Sequence, residues 1–238
     1  MSDTLILAAV LIPSLIIAIV FHEVAHGYTA MALGDPTASE RGRLTLNPFK
    51  HVDPVGTLLV PGGLAILGGP VFGWAKPVPI NKYRLSNPRF GMMAVAAAGP
   101  ASNFVLAAIG AVMLGLVGGP DWLLSSTPTG LPMAIDPAGE ALPVVSGLFY
   151  FVIVNLFLGL FNLLPIPPFD GSHIVGGLLP ARLRAGWERL QQLGMLLIVG
   201  VIAASWIFGT GWLAQTIGPV FDWVLGLYLG IAAIFAGA

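Results

Sequence analysis

Cysteine is absent from this 238-residue sequence, and charge is scarce: Asp, Glu, Lys and Arg together make up 9% of it, against roughly 25% in an ordinary soluble domain. The missing thiols exclude disulfides, thiolate metal ligands and cysteine nucleophiles. Ten Lys and Arg against eleven Asp and Glu leave a net charge of −1. With no basic surface to neutralise phosphates, nucleic acid is excluded as a partner. What fills the chain instead is apolar, 56% by count, with a mean hydropathy of +0.89. Lipid is the solvent for most of this chain. Any metal must be held by imidazole and carboxylate, so the few His and acids inside apolar sequence stand out.

Crossing a hydrocarbon layer of ~30 Å takes about 20 apolar residues. The first such helix is expected over 4–33, kinked near Pro13. Charge-free runs at 90–120 and 141–169 supply the second and third. The run 190–221 is too long for one crossing and breaks at Gly209-Thr210-Gly211, and a last candidate extends from Trp212 to the C-terminus. The fold class is thus all-α, a polytopic membrane protein with about five to six transmembrane helices. Between helices one and two, nine of the 22 residues in 54–75 are Gly or Pro. A straight helix is disfavoured there, and a Gly/Pro-rich re-entrant or β-hairpin segment is expected. One membrane-embedded domain is expected over 1–238, with a core at 4–180 and C-terminal helices at 187–238. Met1-Ser2-Asp3-Thr4 carries no positive residue, so the first apolar run reads as a retained span rather than a signal peptide.

All ten basic residues fall within 41–89 and 182–189. The two windows should share one side, and the positive-inside tendency makes that side cytoplasmic. The stretch 119–141, with Asp121, Asp136 and Glu140 but no Lys or Arg, then faces outward. The expected topology is N-terminus out and C-terminus in.

Within helix one, Phe21-His22-Glu23-Val24-Ala25-His26 sets two imidazoles at i and i+4, on one helix face and one turn apart. Both can reach one metal ion. Glu23 follows the first, the place of the general acid/base in zinc peptidases of this spacing. The bland reading is a polar stripe hydrogen-bonding a neighbouring helix. A catalytic zinc takes a third protein ligand, and Asp170, His173, His51, Asp53 and the more remote Glu40 are the candidates. Topology favours Asp170: it follows the inner end of helix three, in the same leaflet as the His pair.

Three stretches together resemble the site-2 protease family of membrane-embedded zinc metalloproteases, in a compact form without a PDZ domain: His22-Glu23-x-x-His26, Gly99-Pro100-Ala101-Ser102-Asn103, and Asn162-Leu163-Leu164-Pro165-Ile166-Pro167-Pro168-Phe169-Asp170-Gly171. Arg43-Leu44-Thr45-Leu46-Asn47-Pro48 and Lys76-Pro77-Val78-Pro79 resemble the family's connecting segment. The resemblance implies one Zn2+ per chain held by His22, His26 and Asp170, with Glu23 as catalytic acid/base. It also places Asn103 and Asn162 near the active site, where an amide donor can hold a peptide carbonyl or its oxyanion; the alternative for each is an interhelical hydrogen bond. The implied activity is hydrolysis of peptide bonds in or near transmembrane segments, in regulated intramembrane proteolysis. The implied partners are a single-span transmembrane substrate and the bilayer. The expected place is a prokaryotic plasma membrane, with the active site toward the cytoplasm.

A metal-ion transporter using the His/Asp cluster, and a catalytically inactive membrane binding partner, are the rival readings. His51, between Lys50 and Asp53, reads first as a loop residue, and His173 as a neighbour of the metal ligands. Gly62-Gly63 and Gly68-Gly69 lack the Lys-Ser/Thr of a phosphate loop.

Overall fold

A computed structural model describes residues 3–66, 73–126, 130–208 and 212–237. The chain is mostly helical. Four helices are long and apolar enough to cross a membrane, over Leu5–Ala32, Pro88–Gly118, Pro143–Asn162 and Gln215–Ala236. The first belongs to α1 (Asp3–Ala32), which runs unbroken through Pro13. It ends at Gly34, whose φ of +104° suits the left-handed turn after a helix C-terminus. A short α2 (Thr37–Glu40) follows.

The segment expected as re-entrant chain or β-hairpin is helical over 54–66 and has no regular structure over 73–75. Asp53 caps a wide turn over Pro54–Leu59 by accepting the Val55 and Gly56 N–H groups, and α3 (Val60–Ile66) continues from it. The β-hairpin alternative is therefore corrected: no strand pairing occurs in 54–66 or 73–87 among the described residues. The glycines lower helix propensity, but Pro54 sits at the first turn, where its missing N–H costs nothing. Gly68-Gly69 lies outside the described residues.

α4 (Pro88–Gly118) begins with Pro88 behind Asn87, whose side chain accepts the Arg89 and Phe90 N–H groups. α5 (Pro143–Asn162) is the third long helix. The loop expected between them holds an antiparallel pair absent from the sequence reading: β1 (Leu123–Ser126) and β2 (Pro132–Ile135), in register Leu123 to Ile135 and Ser126 to Pro132. After α5 come α6 (Asp170–Leu178), α7 (Ala181–Gln192), α8 (Gly194–Phe208) and α9 (Trp212–Ala236). The break expected at 209–211 lies outside the described residues.

The chain divides into two compact units, one of residues 1–18, 103–159 and 219–238, the other of 19–102 and 160–218. The first is an apolar bundle. Leu7, Leu114, Val145, Phe149 and Ala232 form one buried cluster, and Ala107, Ala111, Val152 and Leu156 a second, against which Phe104, Phe221 and Val224 pack. Its buried polar groups are answered locally: the Ser146 hydroxyl accepts the Ala134 N–H at 2.9 Å, and the Tyr150 hydroxyl donates to the Pro132 carbonyl. The second unit has a small core of Ala30, Leu85 and Val95 and holds the charged residues described next.

Candidate metal centre

The i, i+4 spacing in α1 does what the sequence demands of it. The His22 and His26 rings meet edge to face, their centroids 4.6 Å apart, and their Nε2 atoms are 3.0 Å apart. Both residues are buried, at 7% and 6% exposure. Asp170 opens α6, and its Oδ2 lies 3.0 Å from His22 Nε2 and 3.3 Å from His26 Nε2. The three atoms form a group able to hold a metal ion.

Zinc bonds of about 2.0–2.1 Å at tetrahedral angles set ligand atoms about 3.3 Å apart, close to the separations here. Proton bookkeeping points the same way. His26 Nδ1 lies 2.7 Å from the Val95 carbonyl, which only an N–H can satisfy, so the neutral ring turns a bare Nε2 toward the other two atoms. Asp170 Oδ2 is buried and receives no well-directed hydrogen bond despite its close neighbours. A buried carboxylate oxygen and two ring nitrogens facing one point fit a divalent cation.

The backbone around the cluster leaves no slack. A Cβ on Gly99 would lie 2.5 Å from His26 Nε2 and 2.6 Å from His22 Nε2, so the glycine of the second motif lets α4 pass directly against the ligand atoms. Gly171 does the same beside Asp170, where a Cβ would collide with the Leu163 and Leu164 carbonyls. Neither role was legible in the sequence beyond the presence of the motifs.

Glu23 is partly buried, and its Oε2 accepts the Val78 N–H at 2.7 Å. This contact was not foreseen, although Lys76-Pro77-Val78-Pro79 had been singled out. The segment carrying Val78 is itself bolted down. Trp74 N–H bonds the Gly56 carbonyl at 3.0 Å, Lys76 N–H the His51 carbonyl at 2.9 Å, and the Lys76 carbonyl accepts from Arg43 at 2.7 Å. Farther along, the fully buried Asp35 accepts the Asn81 N–H at 2.6 Å, together with the Thr37 N–H and hydroxyl. Burial pushes the Asp35 carboxyl up, but these hydrogen bonds prevail and hold it below its ordinary value.

The other candidates have separate partners. His51 Nε2 bonds the Thr45 carbonyl at 2.8 Å. Asp53 is the cap described above, and Glu40 pairs with Arg84 at 2.6 and 2.8 Å. His173 is one turn past Asp170 and is not a member of the cluster. Asn103 departs from its expected place. It is fully buried in the apolar unit, donating to the Ala18 carbonyl at 3.1 Å and to Asn155 Oδ1 at 2.9 Å. Both of its N–H groups are thus committed between helices, and a substrate-gripping role for them is corrected to interhelical bonding. Asn162 is the half-buried last residue of α5.

Comparisons with known proteins follow this geometry. The zinc metalloprotease-named YwhC of Bacillus subtilis is 38% identical over 190 residues, covering 79% of this chain and 78% of its own. Rip2 of Mycolicibacterium smegmatis, likewise named a zinc metalloprotease, is 28% identical over 190 residues, 77% of this chain and 62% of its own. Rip2 of Mycobacterium tuberculosis is 27% identical over 204 residues, 82% and 68% of the two chains. No solved structure matches. The family model for Peptidase family M50 matches residues 10–204, and the chain belongs to that family, the site-2 proteases.

Proposed function

We propose that this chain cuts single-span membrane proteins in or near their spanning segments, with one zinc ion held by His22, His26 and Asp170 and with Glu23 as general acid/base. Its class, an intramembrane zinc metalloprotease, follows from the family. The observation that carries the residue assignments is the convergence of three ligand atoms beside Glu23. When bound, zinc supplies Lewis acidity that polarises a carbonyl and makes water a nucleophile near neutral pH. The protein does the rest. Val78 N–H occupies Glu23 Oε2, which leaves Oε1 to take a proton from the attacking water and return it to the departing amine. The Val95 carbonyl fixes the orientation of the His26 ring. The transporter and inactive-partner readings are not favoured, since neither needs a carboxylate held at this position.

A substrate helix must be unwound before it is cut. The segment 74–79 supports a way to hold it: residues 74, 76 and 78 bond inward, which leaves Ala75, Pro77 and Pro79 on the other edge. Pro has no N–H, so at 77 and 79 that edge offers carbonyls alone, while Ala75 offers both its N–H and its carbonyl to an extended peptide. Replacing Ala75 with Pro should slow cleavage with zinc content unchanged; unaffected cleavage would count against this edge.

We place the basic segments 41–89 and 182–189 on the cytoplasmic side of a prokaryotic plasma membrane. α8 has 15 residues, about 22 Å at 1.5 Å per residue, short for a crossing of ~30 Å. Its apolar composition supports a fifth span, which would put the C-terminus in the cytoplasm. Purified wild type and Glu23→Gln, compared for bound zinc and for cleavage of a single-span model substrate, test the function. Zinc retained with cleavage lost supports the protease; equal cleavage in both ends it.

A further inference from the structure

The cluster around the proposed zinc is rich in acceptors and poor in donors. Asp170, Glu23 and the His26 ring all present lone pairs to it, and Lys82 is paired with Glu188 at 3.1 Å. Peptide hydrolysis develops negative charge on the scissile carbonyl oxygen, which N–H donors stabilise. One side chain on α6 answers this need.

His173 lies three residues after Asp170, on the same face of α6. Its ring is half-buried, and Nδ1 is 3.2 Å from the Gln191 amide nitrogen, which also reaches Ser172 Oγ at 3.3 Å. A ring nitrogen that accepts from an amide N–H carries no proton, so the neutral imidazole has its hydrogen on Nε2. Burial holds His173 below its ordinary value, opposed by Asp170, which favours the neutral ring that this hydrogen bond requires. Among the described residues Nε2 has no hydrogen-bond partner, whereas the rest of the ring's surroundings are fixed. Trp187 of α7 donates to the Ser172 carbonyl at 2.8 Å and packs its indole on Gly176, where a Cβ would come within 2.9 Å.

We propose that the His173 Nε2–H grips a carbonyl oxygen of the bound peptide beside the scissile bond, and that Gln191 is the positioning residue that fixes its tautomer. α7 thereby joins the active site through one amide. The inference rests on the peptidase reading above.

Two measurements test it. In metal-free protein, 15N spectra of the imidazoles, assigned with single His variants, should show His173 as the Nε2–H tautomer and show that preference lost in Gln191→Leu. On a single-span model substrate, His173→Ala should lower kcat by about 10²–10³-fold with KM and zinc per chain unchanged. His173→Gln, which keeps an N–H donor, should recover a large part of the rate, so misfolding cannot account for the loss. Wild-type kcat in His173→Ala, zinc lost in step with activity, or an Nδ1–H tautomer in the wild type would each overturn the inference. Glu23→Gln run alongside separates the two failures: if it cleaves fully, the peptidase reading falls and takes this inference with it. If it is inactive while His173→Ala is fully active, only the role of His173 falls.

Discussion

The unit formed by 1–18, 103–159 and 219–238 contains no Lys or Arg, whereas 19–102 and 160–218 contain all ten. The same long helices supply both: α1 and α4 each begin in one unit and end in the other. In the apolar unit every polar contact described is closed. Asn103, Asn155, Ser146 and Tyr150 each have a partner within the bundle. In the charged unit, ligand-type atoms are gathered around one point. Asp170 Oδ2 is buried without a directed hydrogen bond, and the Nε2 atoms of two histidines face it. A buried polar group costs free energy unless it is answered. The contrast therefore separates groups that hold the bundle together from groups placed so that they could hold a cation.

Substitutions at Asp170, Gly99, Asn103 and Asp35 sharpen this contrast, in descending order of effect, with Gly147→Ala as the control. Asp170→Ala removes a ligand and should abolish both bound zinc and cleavage, read by metal analysis and by cleavage of a single-span substrate. Gly99→Ala presses a methyl group onto both ring nitrogens, and zinc affinity should weaken by about 10–100-fold. Gly147→Ala in the apolar unit, where the nearest atom is 3.5 Å away, should leave zinc unchanged and cost no stability.

Asn103→Leu takes its donor from the buried Asn155 Oδ1 and should cost about 1–3 kcal/mol of stability, with zinc content unchanged. Adding Asn155→Leu should recover part of that loss, since both partners are then gone. An Asn103→Leu protein of normal stability but no activity would return this residue to the catalytic machinery. The smallest effect concerns Asp35. A carboxyl held below its ordinary value contributes stability that is complete above about pH 4 and is lost as pH falls through the lowered value. Thermal melts of wild type should therefore fall as pH drops below 4, and Asp35→Asn should start lower at pH 7 and fall less.

How much of this the sequence revealed follows from what each feature depends on. The His22, His26 and Asp170 cluster was legible because its parts are set locally, two by helix periodicity and one by a motif at the head of the next short helix. The long apolar helices were legible from composition. The hairpin at 123–135 was not, because Leu, Ser and Pro over four-residue strands give no alternation to read. Asn103 was misplaced because a motif asparagine signals a buried amide but not its partners: Ala18 and Asn155 are distant in sequence. The helical turn at 54–66 defeated the glycine count, since Asp53 and Pro54 together form a start signal that outweighs it. Gly99 and Val78 carry no donor or acceptor side chain, so their parts in the site exist only once α4 and the 74–81 segment are in place.

Zinc K-edge X-ray absorption on the purified protein, with Asp170→Ala beside it, tests the three-ligand centre most directly. The account predicts a wild-type shell of two imidazole nitrogens and a carboxylate oxygen at about 2.0–2.2 Å, and loss of that shell in the variant. An identical spectrum from both proteins would contradict it.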